Sequence, residues 1–184
     1  MEQKLIILGL GNPGEEYENT YHNAGWLALS RLKNELENEG FVSKKGKGET
    51  FEYFDLTGGE KRYILVFPNT FMNLSGKAAR EALKFFNGGI ETLVIIHDDS
   101  DLPIGEIKSA RGAGPAGHNG VSSVIEHLKT KDFLRIRIGI RNPDEVVRKK
   151  AEDFVLKRIK KADLEKLYLA FAELKSKVSE KSTP

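Results

Sequence analysis

The stretch LIILGLGNPG at residues 5–14 decides the fold. Leu5–Leu10 is an apolar run without alternation that stops at glycines, the pattern of a central strand covered on both faces. Such strands belong to sheets sandwiched between helices, so the segment points to an α/β domain. Outward from it, Gly25–Glu39 sets Leu29, Leu32 and Leu36 at helical spacing before Gly40. Thr50–Leu56 and Lys61–Phe67 flank Gly58-Gly59 as a hairpin. Ser75 is placed to cap a helix that runs through Phe86 and stops at Gly88. Thr92–Ile96 and Leu134–Ile140 are further buried strands, and Ile107–Ala110 is a shorter one. Between the last two lie a glycine-rich loop and a helix near Val121–Leu128. Leu164, Leu167, Phe171, Leu174 and Val178 step by three and four, which gives a closing amphipathic helix. One α/β domain over residues 1–184 is expected, a twisted mixed β-sheet flanked by helices, with a polar end, Ser176–Pro184, that frays.

Composition narrows the function. The chain is 39% apolar and 30% charged, enough for one core, and lacks the run of about 20 apolar residues that a bilayer demands. Its start reads as a first strand rather than a signal peptide. The absence of cysteine excludes disulfides, thiolate catalysis and cysteine-ligated zinc, and fits a soluble protein of a reducing cytoplasm. The net charge of +2 hides an asymmetry: residues 1–100 carry 11 Lys and Arg against 15 Asp and Glu, residues 101–184 carry 18 against 12. A basic second half suits an anionic partner such as nucleic acid, and equally a solvated surface.

Gly9-x-Gly11-x-x-Gly14 satisfies the dinucleotide-binding fingerprint, which also needs a helix opening at the last glycine and an acid ending a second strand about 20 residues on. Here Pro13 stiffens the turn, the helix waits until after Asn23, and position 35 still lies inside it. No nucleotide cofactor is expected. The glycines instead permit a tight turn at the carboxyl end of a central strand, where open α/β sheets place their sites.

Four residue groups could carry chemistry there. His22 precedes an apolar helix whose N-terminus would disfavour imidazolium and keep a neutral base available. His118 and His127 read as a loop contact and a helix-surface residue. His97-Asp98-Asp99-Ser100-Asp101 ends a buried strand, where carboxylates can bind Mg²⁺, orient a histidine, or simply cap a polar turn. Asn12, Asn23, Asn73 and Asn119 offer amides that can hold a water, a carbonyl or a peptide backbone, although asparagine is also an ordinary turn residue.

LGLGNPGEEYENTYHNAG (8–25), PNTFMNLSGKA (68–78), HDDSDLPIGEIK (97–108), GAGPAGHNGVSSVI (112–125) and FLRIRIGI (133–140) occur in that order. Together they resemble the bacterial-type peptidyl-tRNA hydrolases, a similarity running from about Leu5 to Val155. The resemblance implies a monomeric α/β enzyme that needs no metal or other cofactor and cleaves the ester joining a peptide to the 3′ end of tRNA. It implies catalytic roles for His22, Asp98 and Asn12, and substrate contacts by Tyr17, Asn23, Met72, Asn73 and Asn119. Without cysteine or a Gly-x-Ser-x-Gly elbow, a water activated by His22 is more economical than an acyl-enzyme. Asn12 and Asn73 would position that water or polarise the carbonyl. Of the family's two-residue clamp for the tRNA 5′ phosphate, one position matches Arg137. The other falls on Ala110, so Lys108 or Arg111 would have to reach instead. Arg135 and Arg137, on one strand face, could also simply pair with acids. Two departures stand out: Tyr21 where the family commonly has arginine, and Ala113, Pro115 and Ala116 within the glycine-rich loop. Rival readings are a catalytically silent RNA-binding relative and a metal-dependent hydrolase built on His97, Asp98, Asp99 and Asp101.

Overall fold

The computed structural model describes residues 3–143 and 150–179. Its strands are β1 (Gln3–Gly9), β2 (Val42–Lys47), β3 (Phe51–Gly58), β4 (Lys61–Pro68), β5 (Leu93–Pro103), β6 (Ile107–Arg111) and β7 (Leu134–Arg141). Its helices are α1 (Ala24–Asn38), α2 (Ser75–Phe85), α3 (Asn119–Leu128), α4 (Lys161–Ala170) and α5 (Leu174–Ser179). Among these residues the strands form one sheet in the order β2-β3-β4-β1-β5-β7-β6. The middle four, β4, β1, β5 and β7, are mutually parallel, while the pairs β2–β3, β3–β4 and β6–β7 toward the two edges are antiparallel.

The uninterrupted apolar run of β1 follows from this placement. Leu5 and Ile7 enter a core shared with Leu29, Leu32, Leu36, Leu167, Phe171, Leu174 and Val178. Ile6 and Leu8 point the other way, into a core with Ala78, Ala79, Ala82, Val121 and Val124. Because successive strand residues alternate faces, a strand with a core on each side must be apolar at every position.

Several boundaries differ from expectation for physical reasons. β2 has no apolar alternation because it is a lysine-rich edge strand, Val42-Ser-Lys-Lys-Gly-Lys47, largely open to solvent, and such lysines discourage edge-to-edge association. The acidic stretch His97–Asp101 is not a turn but lies within β5, which continues to Pro103. Ser75 does not cap α2. It is the helix's first residue, and its hydroxyl donates to Met72 O at 2.9 Å. The closing helix is two helices, α4 and α5, joined by one 3-10 turn at Phe171–Glu173. α5 carries the chain through Ser176 to Ser179 with Val178 fully buried, and the rest of the polar end, 180–184, lies outside the described residues. No helix opens at Gly14, which is followed by a single 3-10 turn, Glu15–Tyr17, so the dinucleotide geometry is missing.

Candidate active site

β1 ends at Gly9, opposite Ile96 of its parallel neighbour β5, which runs on to Pro103. Glycine makes the next step possible: a Cβ on Gly25 would lie 2.5 Å from Leu10 O and 2.6 Å from Ile96 O. The first turn of α1 therefore rests directly on the end of β1 and on β5 at Ile96. The 3-10 turn before it, Tyr21–Asn23, carries His22 over Asp98 of β5. The backbone of that turn is tied to the segment before α4, with His22 N donating to Val155 O at 2.8 Å.

His22 Nδ1 lies 2.9 and 3.0 Å from the two oxygens of Asp98, whose residue is 2% exposed. His118 Nε2 reaches Asp98 Oδ1 from the other side at 2.9 Å. The tautomer of His118 follows from its neighbours. Its Nδ1 accepts the backbone N–H groups of Gly120 and Val121 at 3.1 and 3.3 Å, capping α3, so its proton sits on Nε2 and is given to Asp98. By the same logic the carboxylate receives the Nδ1 proton of His22, which leaves His22 Nε2 as a free lone pair. Burial opposes a charge on His22, but Asp98 outweighs it through its charge and hydrogen bond, and the pKa is raised above the ordinary imidazole value. Burial alone would raise Asp98 too, yet the facing histidines hold it far below the usual carboxylate range. His97 donates Nδ1–H to Asp98 O at 2.6 Å, and burial foremost, then His118, lower its pKa to about 3, so it is neutral.

The amides divide into two kinds. Asn23 was expected to touch substrate, but it is 0% exposed and spends its side chain on Asn12, accepting from Asn12 N at 2.8 Å and donating to Asn12 O at 3.0 Å. It shapes the glycine turn. Asn12 accepts Met72 N on Oδ1 at 2.7 Å, which orients its Nδ2 as a donor that no described residue engages. Met72 is 5% exposed and belongs to the core, so its contribution is this backbone bond and packing against Gly120 rather than an open pocket wall. Asn73, on the turn that packs against α3, and Asn119, the first residue of α3, are both exposed and free of such duties. Tyr17 is half-buried, its ring edge-on to Phe71.

A cleft of about 640 Å³ opens beside His22 and Asp98, walled by residues 113–119 and by Lys150–Glu152 and Val155, with Arg135 and Arg137 at its β7 side. Asn12, Met72, Asn73 and Tyr17 are outside its walls. The β6–β7 register pairs Lys108 with Arg137 and Ala110 with Arg135, which places these four side chains on one face. Arg111 falls on the opposite face by the same alternation, reaching Asp132 at 3.4 Å, so it does not join Arg137. Arg137 Nε donates to Asp99 at 2.7 Å, and the buried Arg135 donates to Gly114 O at 3.0 Å, holding the 113–117 loop, where Ala116 adopts a positive φ of 49°.

The acidic run does not form a metal site. Asp99 is committed to Arg137 and to Asp101 N, and the His97 Nδ1 proton to a carbonyl. The one cluster of metal-ligating side chains among the described residues, His22, Asp98 and His118, turns N–H groups inward onto the carboxylate, so a cation would meet protons where it needs lone pairs. His118 and His97 had been legible only as a loop residue and part of an acidic run. The signal missed was His118 directly before an Asn-Gly helix start, a position from which an imidazole can cap.

A profile of the peptidyl-tRNA hydrolase family matches residues 6–183. A curated peptidyl-tRNA hydrolase of Mesoplasma florum is 39% identical over 175 residues, covering 95% of this chain and 91% of its own. That of Pelobacter propionicus is 44% identical over 138 residues, 75% of this chain and 69% of its own. The crystal structure of peptidyl-tRNA hydrolase from Acinetobacter baumannii superposes with a TM-score of 0.80 at 30% identity, covering 97% of this chain and 88% of that one. Futalosine hydrolase of Helicobacter pylori, at 11% identity and a TM-score of 0.52, shares the fold alone. A match that runs through every loop of the site as well as the sheet beneath it places the chain within the peptidyl-tRNA hydrolase family, to which it belongs.

Proposed function

We propose that this chain hydrolyses the ester between a peptide and the 3′ end of tRNA, with water activated by His22. The observation that carries the reading is the His22–Asp98 pair, which leaves Nε2 deprotonated at the mouth of a cleft. Nε2 takes a proton from water as the oxygen attacks the ester carbonyl, and the imidazolium formed is stabilised by Asp98. The proton then passes to the departing ribose oxygen, giving a peptide carboxylate and tRNA with a free 3′ hydroxyl. Asn12 Nδ2, pre-oriented through Met72 N, is a donor for the water or the developing oxyanion. Asn73 and Asn119 offer exposed amides to the peptide backbone. An intact base and orienting carboxylate speak against a catalytically silent relative. The test is release of labelled peptide from peptidyl-tRNA by purified protein in excess EDTA. Full activity is expected, and faster turnover of N-acetylated than of free aminoacyl-tRNA. No release, or release abolished by the chelator, would overturn the proposal.

The tRNA body is proposed to dock on the Lys108–Arg137 face, as a monomeric complex centred on a phosphate. Each phosphate neutralised contributes about 0.7–0.9 to the logarithmic salt slope. Arg137→Ala and Lys108→Ala should each raise KM for full-length substrate and flatten that slope by roughly one contact. Arg111→Ala, on the far face, should leave it alone. A slope that responds to Arg111 and not to Lys108 would move the docking face.

A further inference from the structure

We infer that Tyr21 is a positioning residue for hydrolysis, acting with Asp163 to hold His22 in place. The turn that bears His22 has little structure of its own: it is one 3-10 turn, and its N-cap, Thr20, makes no side-chain capping bond. Its geometry is supplied from outside, by a strap of chain before α4. Ile159 N donates to Asn19 O at 2.8 Å, Thr20 bridges to Arg158, Tyr21 N reaches Lys157 O at 3.3 Å, and His22 N donates to Val155 O at 2.8 Å. Tyr21 locks this short ladder with its side chain. Its hydroxyl donates to Asp163 Oδ2 at 2.6 Å in the first turn of α4 and accepts from Lys160 N at 3.5 Å, and its ring stands edge-on to Phe154 at 5.8 Å. Tyr21 is 7% exposed and its bond to the half-buried Asp163 is part-buried, so solvent makes good only part of its loss.

The same strap forms part of the cleft: Ala151, Glu152 and Val155 line it. Tyr21 therefore couples the neighbouring base to a wall of the substrate site and to the docking of α4. A shift of His22 within its turn would spoil alignment of Nε2 on the attacking water while leaving the groups that hold tRNA and peptide where they are. An activity step that depends on placement to within about an ångström is sensitive to such a support.

The role rests on His22 being the base proposed above. Tyr21→Phe keeps the ring on Phe154 and removes only the hydroxyl; Asp163→Ala removes the partner. Each should lower kcat by about five- to twentyfold, with KM within twofold of wild type and the protein still folded well above the assay temperature. The double variant should be no worse than twofold below the poorer single one, because both remove the same bond. Wild-type kcat in Tyr21→Phe, losses that multiply in the double variant, or a rise in KM at constant kcat would each overturn it. If wild type releases peptide and these variants match it, only the positioning role fails; if wild type itself is inactive, the hydrolase assignment fails and takes this role with it.

Discussion

His22→Ala is expected to lower kcat for peptide release by about 10²–10⁴, the usual yield of a positioned general base, while KM stays near wild type. The structure makes this prediction specific. Nδ1 is spent on Asp98, so the chemistry has one nitrogen available, and the two neighbouring histidines do not replace it: His118 is protonated toward Asp98 and bonded through Nδ1 to the start of α3, and the Nε2 of His97 is sealed from solvent. His22 lines the cleft and belongs to neither hydrophobic core, so the alanine variant loses an imidazole without opening the core. Steady-state kinetics on peptidyl-tRNA beside circular dichroism checks both halves of the claim. Hydrolysis within a few fold of wild type would show that the proton goes elsewhere.

Asp98→Asn is the second large effect, a loss of about 10–10²-fold in kcat, smaller than that of His22→Ala because the imidazole remains. It also carries a signature in pH. In the wild type Asp98 overcomes burial and lifts the His22 pKa above the ordinary value, so activity falls as pH drops through that raised pKa. With the carboxylate neutralised, burial is left unopposed and stabilises the uncharged ring. The acid limb of kcat/KM should then move to lower pH even as the maximum rate declines. A limb that stays put, or moves up, would mean the titration belongs to another group. Asp99→Asn should leave the limb in place, since Asp99 faces Arg137 and not His22, and its effect should appear in the salt dependence of KM.

Much of this protein is legible in one dimension. The unbroken apolar run at Leu5–Leu10 implies a strand with a core on each face, and the helical spacing of Leu29, Leu32 and Leu36 implies the helix that covers one of them. The order of motifs around His22, Asp98 and the asparagines brings those residues to one end of the sheet, because parallel strands all send their following loops to the same edge. What periodicity carries is local: which face a residue takes within its own element.

Tertiary structure decided everything that depends on two elements meeting. His118 and Asp98 stand 20 positions apart, and nothing in their spacing says that an imidazole capping α3 would share the carboxylate with His22. Asn23 and Asn119 are the same residue type in similar glycine-rich settings, yet one is sealed beneath the glycine turn and the other faces solvent. Lys108 and Arg111, three apart on one strand, take opposite faces by alternation, but only the antiparallel register of β6 on β7 puts the first beside Arg137. Hydrogen-bond register and burial are properties of pairs of segments, and a chain read alone contains the candidates for each pair without the distance that selects among them.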